Sequence, residues 1–237
     1  MFKTADPFNR TLRKIVREMR RPFRRHAPPR QFLGDEPPWI REIVGQVRPY
    51  TMTSNERIAA LCNAVEYIVR TDIRGDIVEC GVWRGGSMMA VAYALMHLGR
   101  TDRNLHLFDT YTGMTAPTKD DRRSFDGADA GKLLRTWSRE GTMWAPSPLE
   151  EVTDNLGKTG YPTSRVHFVA GRIEDTVPSR APAQLALLRL DTDFYESTRH
   201  ELIHLYPRIL PGGARSRAGE VDRDQGSQRD LLTPAWH

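Results

Sequence analysis

The sequence predicts an α/β fold with a doubly wound, Rossmann-like parallel sheet. Short apolar segments typical of strands recur at residues 76–82, 105–110, 165–170 and 185–191. Helical patterns of apolar residues lie between or after them, at residues 55–70, 87–98 and 195–206. A glycine-rich turn directly follows the first strand. Because strands that alternate with helices form parallel sheets covered on both faces, these observations together predict the fold class.

The chain length suits one α/β domain with additions. Of its 237 residues, we assign 1–48 to a basic N-terminal arm and helices, 49–213 to the main domain and 214–237 to an irregular tail. The net charge is +5, yet residues 1–30 hold ten Lys or Arg and only two acidic residues. The positive charge therefore belongs to the arm, and the remaining chain is mildly acidic.

A basic arm can contact nucleic acid or an anionic membrane surface. We favour a solvated, partly helical extension and expect no nucleic-acid partner, because few aromatic residues that could stack on bases are interleaved with the charges. No apolar run reaches the roughly 18 residues that a membrane span needs. The N-terminus also lacks the apolar segment of a secretory signal. We expect a cytoplasmic protein without a membrane span, in which the arm could support a homo-oligomer.

The turn after the first strand carries the most specific chemistry. Its pattern is E-x-G-x-x-x-G, from Glu79 through Gly81 to Gly85. A dinucleotide site has a glycine where Glu79 stands. A carboxylate there repels a pyrophosphate but suits a ligand with a cationic amino-acid end. The pattern therefore favours S-adenosyl-L-methionine over NAD, with a purely structural strand–helix turn as the alternative.

The ends of the second and third strands add further candidates. Asp109 ends the second strand, where an acid can accept hydrogen bonds from ribose hydroxyls. A helix cap is the alternative for Asp109. Arg172 and Ile173 follow the third strand and are expected to flank the adenine, with an ordinary turn as the alternative.

Two acids follow the fourth strand, at the edge where ligands of doubly wound sheets bind. Asp191 and Asp193 are separated by one residue. Two carboxylates could hold a hard cation such as Mg²⁺, with water and substrate oxygens completing the shell. Asp191 is the candidate metal ligand and catalytic base, and Asp193 is the candidate helix cap.

Several motifs in this order resemble the macrocin O-methyltransferase family of class I S-adenosylmethionine-dependent methyltransferases. They are residues 79–87 (ECGVWRGGS), 107–111 (LFDTY), 149–162 (LEEV to GYP) and 188–198 (LRLDTD with YEST). The similarity extends over about residues 49–213. Members of this family methylate sugar hydroxyls of macrolides and related natural products, usually with Mg²⁺. The resemblance therefore implies a glycosylated small molecule as the substrate.

The resemblance also implies a role for each matching residue. Thr53 would lie over the cofactor or substrate, Asp109 would hold the ribose, and Asp191 would bind the metal and deprotonate the acceptor hydroxyl. The adenine would lie beside Arg172 and Ile173. The methionine end would be held by Glu79, Gly81, Arg84, Gly85, Gly86 and Ser87.

The sequence departs from the family pattern after Gly213. The family has an apolar strand there that ends in two adjacent aspartates, whereas residues 214–220 read ARSRAGE. We interpret the C-terminus as truncated or frameshifted, so that no fifth strand forms and the metal site is half built. The sequence thus predicts a sugar O-methyltransferase, with a non-catalytic S-adenosylmethionine-binding remnant as the alternative. A nucleotide-binding oxidoreductase is a third reading, which Glu79 disfavours.

Overall fold

The computed structural model describes residues 35–118, 121, 129–131 and 146–217. Five strands run in chain order: β1 (Asp76–Cys80), β2 (Leu105–Asp109), β3 (Val166–Ala170), β4 (Leu185–Leu190) and β5 (Ile209–Arg217). The helices are α1 (Pro38–Val47), α2 (Asn55–Arg70), α3 (Gly86–His97), α4 (Leu149–Gly157), α5 (Ile173–Thr176) and α6 (Tyr195–His204). The first four strands and the helices of the repeating pattern confirm the predicted elements, within a residue or two at most ends.

All five strands are parallel, in the order β3-β2-β1-β4-β5. The chain therefore adds β2 and β3 on one side of β1, and then crosses to the other side of β1, where it adds β4 and β5. Ligands of doubly wound sheets bind at such a reversal, outside the carboxyl ends of the strands. The predicted fold class is confirmed, and the sheet topology predicts a binding crevice at the carboxyl ends of β1 and β4.

Helices cover the sheet because its strands are apolar on both faces. Residues of alternating strand positions, such as Val78 and Leu188, join Ile173 and Leu205 in one buried cluster. On the other side of the strands, α2 contacts β4 and β5 and packs against α1 and α3. Ser54 caps α2 by accepting a hydrogen bond from the amide of Arg57. None of the helices in the described part of the chain is long and apolar enough to cross a membrane.

The prediction that no fifth strand follows is wrong. β5 starts at Ile209, before the Pro-Gly-Gly sequence, and pairs with β4 as far as Arg217. Its ladder is made by main-chain groups, so it forms without a run of β-branched residues. Only a small apolar surface is needed here, and Ala214 is buried at 6% exposure. The guanidinium of Arg215 lies over the ring of Tyr206, 5.3 Å from its centre. The polar segment after Gly213 therefore completes a five-stranded sheet.

The opposite, amino-terminal end of the sheet carries a polar pair away from the crevice. His106 Nε2 lies 2.9 Å from Asp76 Oδ2, and Asn104 donates to the other oxygen of Asp76 over 3.1 Å. Burial alone would raise the pKa of Asp76, but these two hydrogen bonds and the charge of His106 leave it below the ordinary aspartate value.

We expect Asp76→Asn to reduce stability at neutral pH but not in acid. Because the pKa of Asp76 is lower in the folded than in the unfolded chain, its ionised form stabilises the fold above about pH 4, and this contribution is lost as the pH falls. The free energy of unfolding in urea should drop by about 1 kcal/mol at pH 7. The difference from the wild type should shrink as the pH falls below about 4, because protonation of Asp76 removes it. Asp154→Asn, at an exposed position of α4, is the control, and an equal loss there would contradict the assignment.

Candidate functional site

The candidate site is built where four neighbouring strands, β3, β2, β1 and β4, end. The main-chain amide of Gly81 donates to Phe108 over 2.9 Å, and that of Asp191 donates to Cys80 over 2.8 Å. The amide of Gly171 bonds Asp109 in the same way over 3.0 Å. These bonds continue the sheet ladder one residue past each strand, so the loops that follow leave from a fixed edge.

Glycine is required in the turn because other chains approach it closely. At Gly81, with φ +81°, a Cβ would lie 2.5 Å from the carbonyl oxygen of Asp191. At Gly86 it would lie 2.5 Å from the carbonyl oxygen of Tyr50. Gly85 has φ +85° and directly precedes α3. The turn therefore fits between the end of β4 and the loop before α2, and the amino end of α3 opens beside it.

Asp109 organises this turn. Its Oδ2 accepts the main-chain amides of Val82 and Trp83 at 2.6 and 3.1 Å, and its Oδ1 accepts that of Tyr111 at 2.9 Å. Three main-chain donors hold the carboxylate beside the glycine turn. The ribose contact assigned to Asp109 stays a prediction, and at Oδ1 it would replace the long hydrogen bond from the Thr110 hydroxyl at 3.4 Å.

A buried ion-pair network lies next to the turn. The guanidinium of Arg189, 1% exposed, donates from Nε to Glu79 Oε1 over 2.7 Å. Its Nη2 donates to Asp191 Oδ2 over 2.6 Å and to Thr53 Oγ1 over 3.0 Å. Three of the residues predicted from the sequence, Thr53, Glu79 and Asp191, are thus brought together by a fourth that the sequence analysis did not single out.

The two carboxylates share the guanidinium of Arg189, and Arg57 adds positive charge near Asp191. Oε2 of Glu79 is buried with no hydrogen-bond partner among the described residues. Burial raises the pKa of Glu79, Arg189 opposes this, and Asp191 and Asp109 add to it. The pKa of Asp191 is also raised, chiefly by burial against the effect of Arg189. An additional cation beside Glu79 would therefore be stabilised.

Two further arginines fix the loops around the turn. Arg48 donates to the carbonyl oxygens of Thr51 and Thr53 at 2.7 and 2.8 Å, so it holds the loop that carries Thr53. Arg84 donates to Glu151 over 2.7 Å and to the carbonyl of Pro49 over 2.9 Å. Arg84, predicted to hold the methionine end, thus spans from α4 to the loop before α2.

The remaining predicted residues lie outside the Arg189 network. Ser87 is buried in the first turn of α3. Arg172 precedes α5 and is exposed, with Nε 3.5 Å from Glu174. Ile173 is 7% exposed and belongs to the apolar cluster under the sheet. The adenine contacts assigned to Arg172 and Ile173 stay predictions.

The donors fit S-adenosylmethionine better than Mg²⁺. A buried carboxylate oxygen without a partner beside a glycine turn and a helix amino end suits a ligand that carries both an ammonium and a carboxylate. For Mg²⁺, no group of three or more His, Cys, Asp or Glu that could hold a metal occurs in the parts of the chain described. One oxygen of Asp191 is already bound by Arg189. The described residues alone do not form a Mg²⁺ site.

Comparison with known proteins identifies the family. Residues 27–215 match the family described as Macrocin-O-methyltransferase (TylF). The chain belongs to the macrocin-O-methyltransferase family. The chain thus has the fold of the class I methyltransferases, which depend on S-adenosylmethionine. The resemblance predicted from the sequence is confirmed.

The curated relatives are O-methyltransferases of natural products. The chain is 34% identical over 196 residues to the 8-demethyl-8-(2,3-dimethoxy-alpha-L-rhamnosyl)-tetracenomycin-C 4'-O-methyltransferase of Streptomyces olivaceus, covering 80% of this chain and 71% of that protein. It is 33% identical to the mycinamicin III 3''-O-methyltransferase of Micromonospora griseorubida, covering 69% of this chain and 62% of that one. The match thus spans less than two thirds of the second relative.

Solved structures agree on the fold. The O-methyltransferase NovP superposes with a TM-score of 0.59 at 31% identity, covering 71% of this chain and 66% of that one. The calicheamicin methyltransferase CalS11 superposes with a TM-score of 0.53 at 18% identity, covering 91% and 79%. The second likeness shows the fold alone.

Sequence reasoning missed Arg189 and Arg48. Arg189 interrupts the run LALLRL, in which every residue is buried. A charged residue at a buried strand position requires a buried partner, and this was the available signal. Arg48 carried no comparable signal, because its partners are main-chain carbonyls brought near only by the fold.

We expect Gly81→Ala to destabilise the chain and abolish cofactor binding, while Gly99→Ala does less. Both glycines have positive φ, +81° and +70°, so both variants strain the backbone. Only at position 81 would the new methyl meet the Asp191 main chain, at 2.5 to 2.7 Å, whereas nothing lies within 4 Å at position 99. We expect a loss of about 1 kcal/mol for Gly99→Ala and at least about 3 kcal/mol for Gly81→Ala. Urea unfolding measures both, and equal losses would refute close packing of the turn.

Proposed function

We propose that this chain transfers the methyl group of S-adenosylmethionine to a sugar hydroxyl of a glycosylated natural product. The observation that carries the proposal is the buried oxygen of Glu79 beside the glycine turn, which has no hydrogen-bond partner in the described part of the chain. Family membership supports the reaction class, and the names of the curated relatives support the kind of acceptor.

The chain's own residues would hold the methyl donor at the crevice between β1 and β4. Glu79 Oε2 would accept a hydrogen bond from the donor's ammonium group. The amino end of α3, at Gly86 and Ser87, favours its carboxylate. Asp109 Oδ1 would accept from a ribose hydroxyl. When bound, this cofactor supplies a methyl group on a positively charged sulfur, which an oxygen nucleophile attacks in line.

Asp191 is the proposed proton acceptor. Its side chain is 30% exposed, so it borders the crevice, and Arg189 holds one of its oxygens. The raised pKa of Asp191, caused chiefly by burial, makes the carboxylate a stronger base than an ordinary aspartate. The acceptor oxygen would form its bond to the methyl carbon, the carbon–sulfur bond would break, and the hydroxyl proton would pass to Asp191. Positioning of the two reactants supplies much of the rate.

Mg²⁺ enters this proposal only through the resemblance. No group of three or more possible metal ligands occurs among the described residues, and one oxygen of Asp191 is already bound by Arg189, so no step is assigned to the ion here. Turnover that is lost on chelation and restored by Mg²⁺ would add the ion to the mechanism, with ligands supplied from elsewhere or from the substrate.

We expect the purified chain to bind S-adenosylmethionine and not NAD in calorimetry. Glu79→Gln should weaken S-adenosylmethionine binding at least tenfold, because it removes the charge that faces the ammonium. Glu66→Gln, which changes a surface acid paired with Arg70 on α2, should leave the affinity unchanged. Tighter binding of NAD than of S-adenosylmethionine would overturn the proposal in favour of an oxidoreductase.

We expect Asp191→Asn to lower turnover at least 100-fold and to change cofactor affinity less than threefold. The amide keeps the shape of the side chain but cannot take the proton. Methyl transfer to a panel of glycosylated acceptors, followed by mass spectrometry, measures the effect, with Asp193→Asn as the neighbouring control.

Two outcomes of this assay would contradict the proposal. Undiminished methylation by Asp191→Asn would remove Asp191 from the mechanism. A wild-type chain that binds the cofactor yet methylates no acceptor would instead support the non-catalytic alternative.

A further inference from the structure

Arg189 and Glu79 occupy matched positions on adjacent strands. Glu79 on β1 pairs in register with Arg189 on β4, so the two side chains leave the same face of the sheet. Asp191 follows two residues later and points to that same face, at the open edge of the sheet. The guanidinium therefore lies between the carboxylate beside the glycine turn and the carboxylate at the crevice.

The planar guanidinium holds each carboxylate by one oxygen. Nε takes Oε1 of Glu79 and Nη2 takes Oδ2 of Asp191. Oε2 of Glu79 has no partner among the residues that the structure describes. One rigid side chain thus fixes the direction of the second oxygen of both acids. A lysine, with a single compact ammonium, cannot reproduce this fork.

The same nitrogen that binds Asp191 also binds the loop before α2. Nη2 donates to Thr53 Oγ1, and the loop is held on its other side by Arg48. The loop is in turn packed against Gly86, where the main chain of Tyr50 leaves no room for a side chain. A shift of the Arg189 side chain would therefore change the positions of Glu79, Asp191 and the loop that carries Thr53.

We propose that Arg189 is a positioning residue that couples the cofactor pocket to the proton acceptor: it sets Glu79, Asp191 and the Thr53 loop in one arrangement. This inference rests on the proposed function and adds a residue to it. Arg189 contacts neither reactant; it acts through the two carboxylates. Its expected signature is a combined defect, since Glu79→Gln should affect mainly binding and Asp191→Asn mainly turnover.

The test uses Arg189→Lys, with Thr53→Val as a second variant that leaves the buried charges in place. Arg103→Lys is the matched control, because Arg103 is also buried (6% exposed) but donates to the main-chain carbonyls of Gly75 and Ile73. Each full-length variant is measured for cofactor affinity by calorimetry, for kcat and KM, and for amide hydrogen exchange over residues 48–55.

We expect Arg189→Lys to weaken S-adenosylmethionine binding at least tenfold, to lower kcat at least tenfold and to speed exchange in the 48–55 loop. Thr53→Val should speed exchange in the loop and weaken binding about threefold. Arg103→Lys should lower the melting temperature without changing affinity, kcat or loop exchange. If Arg189→Lys does not fold, the Thr53→Val results decide in its place.

Four outcomes would overturn the inference. If Arg189→Lys folds and keeps its affinity and kcat within twofold of the wild type, the role of Arg189 is merely structural. The same conclusion follows if Arg103→Lys has the same loss of affinity and kcat as Arg189→Lys. Unchanged loop exchange and affinity in Thr53→Val refutes the link to the loop. If the wild type binds the cofactor without turnover, the methyl-transfer proposal fails, while the binding and exchange results still judge Arg189. A wild type that binds no S-adenosylmethionine overturns both.

Discussion

The buried guanidinium of Arg189 is the constraint on which the site depends. A charge that is 1% exposed is costly to desolvate, and it is tolerated only with good ion-pair geometry and satisfied hydrogen bonds. Both carboxylates that satisfy it come from positions at or just after the ends of β1 and β4. The strands must therefore stay in register, since a slip of one residue would turn Glu79 or Arg189 to the opposite face. The ion-pair network and the sheet register thus fix each other.

The rest of the site follows from the same edge of the sheet. Gly81 and Asp191 leave their strands so close together that a side chain at position 81 would collide with the main chain of Asp191. Asp109 on the other side of β1 then fastens the turn through the main-chain amides of Val82 and Trp83. Binding groups from three strands and one loop are in this way held by main-chain geometry together with the buried guanidinium of Arg189, which preserves their arrangement in the absence of a ligand.

The fold was largely predictable because its signals are local. Apolar runs, the Ser54 cap and the glycine turn each specify an element from a few neighbouring residues. β5 was missed because an outer strand gains main-chain bonds from β4 whatever its side chains, and only Ala214 needed to be small and buried. In the candidate site, Glu79, Asp109 and Asp191 could be proposed from the sequence, because they stand at strand ends and the carboxyl ends of parallel strands lie together. Arg189 was not predicted, because Glu79 and Thr53 lie 110 and 136 residues away from it in the chain. Asp191 is only two residues away, and one nearby acid does not indicate a network.

Glu79 on β1 and Asp109 on β2 differ in how fully their oxygens are hydrogen-bonded, and this difference argues for a cationic ligand. Asp109 is held by three main-chain donors, so it is mainly committed to the turn. Glu79 is bound through one oxygen, and leaving the other buried and unpaired costs about 1–3 kcal/mol in the free protein. A ligand that places a positively charged donor there recovers this cost, whereas a pyrophosphate would add repulsion to it. Within the proposed function, the Glu79 oxygen that has no partner among the described residues therefore favours an ammonium-bearing cofactor.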